Sequence, residues 1–164
     1  MNSKKFLAFA MAAAMTLSMT ACGGSGSGAA SSGTDSAAGT AFKLGGTGPL
    51  TGGASIYGLA AQRGAQIAVD EINAQGGAIQ FDLKYEDDQH DPEKAVNAYN
   101  ALKEWGMQIS LGSVTSQPGI STSALSQEDG IFALTPSASS PDVIAAKDNV
   151  YQMCFSDPNQ GLAS

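Results

Sequence analysis

The sequence has one histidine, two cysteines, one tryptophan and 8 basic side chains against 15 acidic ones. Each scarcity excludes something. His90 stands alone in a segment without a nucleophile motif, so no Ser/His/Asp or Cys/His arrangement can be assembled. Two cysteines do not make a disulfide framework, and Cys154, set among hydrophobic residues in "VYQMCFSD", reads as a small buried apolar side chain. A net charge of -7 and no basic cluster beyond the first five residues argue against a nucleic-acid partner. The uncharged run of residues 6–19 is too short to span a bilayer, which takes about 20 apolar residues. "GGTGPLTGG" lacks the third glycine of a dinucleotide fingerprint, where Thr51 stands, and the Gly-Lys-Ser/Thr ending of a phosphate loop. Its glycines instead let the backbone turn tightly and approach a ligand closely.

What is present begins with an ordered leader. Lys4 and Lys5 precede "FLAFAMAAAMTLSM", and the small residues Thr20 and Ala21 precede Cys22, the n-region, h-region and cleavage-site order of a secretory signal. With a thiol directly after the small residues, the segment resembles a bacterial lipoprotein signal. That resemblance implies removal of residues 1–21, lipidation of Cys22 and a membrane anchor on the extracytoplasmic face. Met19 departs from the leucine commonest in such signals. The following Gly, Ser and Ala residues carry one charge, Asp35, and have nothing to bury, so residues 22–40 read as a flexible tether. Residues 41–164 suffice for one small domain with a core.

Along that domain the pattern alternates. A strand over 42–46 breaks into a glycine-rich loop through 53; a helix over 55–74, with Ala61, Ala65, Ala68 and Ile72 on one face, stops at Gly76 and Gly77. Ile79, Phe81, Leu83 and Tyr85 alternate with polar residues in a second strand. Asp91 caps the next helix, Pro92 takes its first position, and Ala95, Val96, Tyr99 and Leu102 form its apolar stripe. Then follow a strand "MQISLG", a loop over 113–119, a helix over 120–128, a strand "IFAL", a loop over 135–142, a short helix over 143–146 and a strand "NVYQMCF". Five strands alternating with helices predict an α/β fold, a parallel sheet with helices on both faces. Ligands bind such sheets outside the carboxyl ends of the strands, which selects the loops over 45–58, 87–91, 112–119 and 135–142.

"EDDQHDPE" gathers Glu86, Asp87, Asp88, His90 and Asp91, but its spacing fits neither a calcium loop nor a helical histidine pair, and no metal is expected. "GSVTSQPG" and "TPSASSPD" differ in kind. Each places hydroxyls, free backbone N–H groups and a helix start at the ligand-facing end of a strand, an arrangement that holds a carboxylate without a full positive charge. Singly, such loops are more often only turns and caps.

The series "GPLTG…IYG…GAQIAVDEINAQGG", "YEDDQHDPEKAV", "GSVTS", "TPSASSPD" and "NVYQMCFSDPNQG" resembles the periplasmic-type leucine/isoleucine/valine-binding proteins of branched-chain amino-acid ABC transporters. The resemblance covers nearly all of the chain after the tether. It implies a type I periplasmic-binding-protein lobe, here the N-terminal part of a two-lobed protein whose second lobe is missing. It also implies an amino-acid ligand, delivery to ABC permease subunits, no catalysis and no cofactor. Carried over by position, Ser116 grips the ligand α-carboxylate, Ser137 offers its backbone carbonyl to the α-ammonium, Ser139 holds both groups, and Tyr57 lines the cleft mouth. Two positions depart from the pattern: several relatives have a disulfide where His90 and Thr115 stand here, and an arginine is frequent where this chain has Gln152. Two rival readings of the same lobe are a ligand-sensing module reporting to a receptor partner and a truncated lobe that binds nothing.

Overall fold

The computed structural model describes residues 41–164. The leader of residues 1–21, Cys22 and the tether of 22–40 lie outside the described residues. The described chain runs β1 Ala41–Gly48, α1 Ser55–Ala74, β2 Gln80–Asp87, α2 Pro92–Trp105, β3 Ile109–Ser113, α3 Ser116–Asp129, β4 Phe132–Thr135, a 3-10 turn Pro141–Val143, β5 Val150–Gln152 and α4 Asp157–Ala163. All strand pairings are parallel, in the order β2-β1-β3-β4-β5. The predicted α/β sheet is therefore present. Its winding reverses at β1, with β2 on one side and β3 on the other, and this opens a crevice between the loops that leave β1 and β3.

Glycines let both layers of helices come close. Successive residues of a strand face opposite sides, and β1 carries Gly45 and Gly46 in succession. A Cβ on Gly45 would lie 2.2 Å from the Met107 sulfur, on the face covered by α2 and α3; one on Gly46 would lie 2.5 Å from the ring of Tyr85, on the face that α1 covers. Beneath α2 and α3, Tyr99, Leu102 and Met107 form one buried apolar cluster, and Ala133, Ala138, Val143 and Val150 a second.

That face also buries hydroxyls. Thr47 and Ser113 share a hydrogen bond of 2.5 Å, Ser113 and Thr122 one of 2.9 Å, and the Thr135 hydroxyl donates to the Ser113 carbonyl at 2.7 Å. A bulge makes this possible: the β1–β3 register shifts between Gly45 and Thr47, and Gly112 is left-handed at φ 65°. Ser110 and Ser113, three residues apart, are consequently both buried on one side.

Several boundaries and faces differ from the sequence reading. Helix α1 spans the predicted residues, but it turns Gly58, Ala61, Ala65 and Val69 toward the sheet and leaves Ala68 and Ile72 exposed. The cause lies at its end, where the Asn73 side chain takes both the N–H and the C=O of Phe81 on the free edge of β2 (2.9 and 2.8 Å) and sets the roll of the helix. In α2, Ala98 is buried where Val96 was expected. Helix α3 starts at Ser116, inside the predicted loop over 113–119, because Pro118 sits in a first turn that needs no N–H from it. The predicted helix over 143–146 is a 3-10 turn at Pro141–Val143, capped by the Ser140 hydroxyl. Strand β1 is longer than expected and β5 shorter, since β4 ends at Thr135 and leaves nothing for residues beyond Met153 to pair with. Cys154 is half-buried rather than buried.

The α1 face is half open. Over β3, β4 and β5 it presents Leu111, Phe132, Leu134, Tyr151 and Met153, with the Phe132 and Tyr151 rings stacked at 5.5 Å and Met153 70% exposed. Among the described residues no helix is long and apolar enough to cross a membrane.

Two glycines of α1 should respond oppositely to alanine. A Cβ on Gly58 would meet the Pro49 carbonyl oxygen at 2.1 Å, whereas nothing lies within 4 Å of one on Gly64. Gly58→Ala is expected to cost about 1–3 kcal/mol through overpacking, and Gly64→Ala to add about 0.5–1 kcal/mol through helix propensity. Urea midpoints of the two variants check both signs.

Candidate functional site

The crevice at the ends of β1 and β3 is walled by four loops, and each is tied to its neighbour by hydrogen bonds. The loop after β1 is held by Asp87, the last residue of β2. Its carboxylate accepts from the N–H groups of Leu50 (2.8 Å) and Gln89 (3.0 Å) and from the Thr51 hydroxyl (2.5 Å). Burial alone would raise the Asp87 pKa, but the Thr51 hydroxyl and the Leu50, Gln89 and Thr51 amides outweigh it and hold it below the ordinary value.

Its neighbour Asp88 turns inward. The Asp88 N–H donates to the Gly48 carbonyl (3.0 Å), Oδ1 accepts from the His90 N–H (2.9 Å), and Oδ2 is buried without a partner. Burial raises the Asp88 pKa, the His90 amide opposes that, and the charge on Asp87 adds to it. Around these anchors Gln89 (φ 50°) and His90 (φ 61°) adopt the left-handed backbone uncommon for side-chain-bearing residues. In the acidic run, Asp87 thus braces the loop after β1, while Asp88 is bonded to the end of β1 and holds the turn that carries His90.

The turn brings His90 to the third loop, where its Nδ1 and the Thr115 hydroxyl share a hydrogen bond of 3.0 Å. The two positions expected to lack a brace are joined without a covalent bond. Thr115 is the N-cap of α3, yet its side chain makes no capping bond, and the first turn of that helix holds no acidic residue. Ser116 occupies the first helical position. Its hydroxyl accepts from the Ser140 N–H at 3.2 Å, and the Ser137 hydroxyl donates to the Val114 carbonyl at 2.6 Å, so the loops after β3 and β4 are joined twice.

Gln152 completes this wall. Its side-chain amide donates to the carbonyls of Ala138 (2.6 Å) and Ser140 (2.8 Å), which shapes the loop after β4 from below with a neutral group. The Ser139 carbonyl accepts from the Asp157 N–H at the start of α4 (3.0 Å). The structure therefore ties Ser116 and Ser137 into one hydrogen-bonded wall, while Ser139, in the same loop as Ser137, is bonded instead to the start of α4. Tyr57, in the first turn of α1 and 65% exposed, is joined to none of them by a hydrogen bond. Sequence reasoning missed Asp87, Asp88 and Gln152 as positioning groups; the signal for the first two was an acidic pair falling at the very end of a strand.

The family described as Periplasmic binding protein matches residues 41–164. The Leu/Ile/Val-binding protein BraC3 of Rhizobium johnstonii is 37% identical over 115 residues, which is 68% of this chain and 31% of that protein. The leucine-binding protein LivK of Thermotoga maritima superposes with a TM-score of 0.68 at 27% identity, over 74% of this chain and 35% of its own. The branched-chain amino-acid transporter substrate-binding protein LivJ of Streptococcus pneumoniae, solved in complex with isoleucine, gives a TM-score of 0.67 at 28% identity, over 72% and 35%. The chain spans about a third of the length of the relatives it matches.

The two adjacent acids predict opposite pH responses. Because the folded pKa of Asp87 is lowered from 3.8, its contribution is present above that value and is lost as pH falls through the folded pKa; Asp87→Asn should flatten this acid limb. The folded pKa of Asp88 is raised from 3.8, so its contribution is present at low pH and lost as pH rises through the folded pKa. Asp88→Asn should remove that decline. Urea midpoints measured across the acid-to-neutral range on the two variants and the parent give the comparison.

Proposed function

Because this chain belongs to the periplasmic binding protein family, we propose that it is the extracytoplasmic substrate-binding component of an ABC importer, which binds an amino acid with a branched aliphatic side chain and delivers it to the permease. Residues 41–164 serve as its type I periplasmic-binding-protein lobe. Residues 1–21 are a lipoprotein signal, Cys22 carries the lipid that holds the protein on the outer face of the cell membrane, and residues 22–40 are the tether between anchor and lobe. The observation that carries the ligand reading is Ser116 at the first position of α3, joined to the hydroxyl-rich loop after β4.

A zwitterion needs an electropositive partner at one end and an electronegative one at the other. The start of α3 supplies the first without a full charge, through the Ser116 hydroxyl and the first-turn N–H groups at the positive end of the helix dipole. The Ser137 hydroxyl is already engaged with Val114, so the backbone carbonyl of Ser137 is the group left for the α-ammonium. Ser139, half-buried beside it, contacts both ends through its hydroxyl and backbone. Tyr57 lines the mouth. A second lobe closes over the other face of the ligand and removes the charged groups from water, which strengthens each hydrogen bond to them. No bond of the ligand is made or broken.

Hydrogen bonds to charged groups contribute about 1.5–3 kcal/mol each, which corresponds to about ten- to a hundred-fold in affinity. Ser116→Ala and Ser139→Ala are each expected to weaken binding by that factor, read by calorimetry with leucine, isoleucine and valine on the full-length protein. Parent-like affinity in both variants would refute the serine assignment, and a parent that binds none of the three would refute the amino-acid reading.

A further inference from the structure

The N-cap side chain of helix α3 makes no capping bond. A Thr N-cap ordinarily accepts from the N–H of the second or third helical residue. Here the third is Pro118, which has no N–H, so the Gln117 amide is the only cap donor open to the Thr115 hydroxyl. That bond is not made. The hydroxyl is instead paired with His90 Nδ1 at 3.0 Å, and the Gln117 N–H stays without an intrahelical partner at an exposed position.

His90 reaches Thr115 through a conformation that is itself held in place. Its φ of 61° is left-handed, its N–H is fixed by Asp88 Oδ1 at 2.9 Å, and Asp88 is fully buried. On the same turn, Asp88 holds the His90 N–H, and the neighbouring Gln89 side chain accepts from the Lys94 ammonium of α2 at 2.6 Å.

We propose that His90 is a positioning residue for the ligand site: by holding the Thr115 hydroxyl away from α3, it leaves the Gln117 amide, together with that of Ser116, for an anionic group of the ligand. This rests on the amino-acid reading for the identity of that anion, the α-carboxylate. It does not rest on that reading for the state of the amide. Without His90 the Thr115 hydroxyl turns onto the Gln117 N–H and competes with the ligand for it.

Three variants of the full-length protein separate this from a general bracing role. His90→Gly accepts the left-handed backbone and removes the imidazole; His90→Asn accepts it too and keeps a hydrogen-bonding atom near the position of Nδ1. Thr115→Val, combined with His90→Gly, takes away the hydroxyl that would cap. In the ligand-free protein, amide hydrogen exchange at Gln117 should slow in His90→Gly and stay at the parent rate in His90→Asn and in the double variant. Unchanged or faster exchange in His90→Gly overturns the proposal, since a loosened brace would speed exchange rather than slow it. Calorimetry with leucine, isoleucine and valine adds the functional arm: His90→Gly should bind about tenfold more weakly than the parent, with affinity restored in the double variant. An equal loss in the double variant overturns the proposal. If the parent binds none of the three amino acids, the ligand reading fails and the exchange measurement alone decides the role of His90.

Discussion

Close approach of backbone to backbone at the carboxyl end of β1 is the constraint on which the rest of this domain depends. Gly48 lies against Val114 and against the Cα of Gly58, and Gly58 in turn lies against Pro49. A side chain at either glycine would lift the start of α1 off the sheet and widen the crevice between the loops after β1 and β3. Gly45 and Gly46 repeat the same economy one turn of the pleat earlier, where the Met107 side chain and the Tyr85 ring fill the space that their own side chains leave. The middle strand is thus defined by what stands over it rather than by what it carries.

From that fixed strand the site is assembled sideways, loop to loop. Asp87 ties the second loop to the first, His90 ties it to the third, and Ser116, Ser137 and Gln152 tie the third to the fourth and shape it. Most of these links run between hydroxyls, amides and carbonyls. A charged brace would compete with a charged ligand for the same hydroxyls and amides, whereas an uncharged one leaves the helix start as a source of positive potential in the crevice. The carboxylate among them, Asp87, is spent on four donors of its own and points its charge at them.

The alternation of strands and helices was legible where an element repeats its period over many residues, as in β2, α1 and α2, whereas β4 and β5, at four and three residues, are too short to show one. The Asp91 cap with Pro92 behind it marked the start of α2. Helix α3 was harder: Pro118 and Gly119 look like loop residues, and only the rule that a first turn tolerates proline would have moved its start back to Ser116. The roll of α1 was not legible at all, since it is set by Asn73 meeting the edge of β2, a tertiary contact with no local periodicity. The same holds for the site. The hydroxyl-rich loops announced themselves by composition, while the division of labour between Asp87 and Asp88 depends on which way each side chain turns at a strand end.

The two faces of the sheet carry different duties. The face under α2 and α3 combines small apolar residues with paired hydroxyls and holds the domain together. The opposite face keeps its larger side chains, Phe132, Leu134, Tyr151 and Met153, in the part that α1 only borders. Cohesion of the described lobe is therefore carried mainly by one side of the sheet. A polar substitution at Phe132 or Tyr151 on the open side would disturb the described lobe far less than one at Tyr99 or Val143 beneath the helices of the other face.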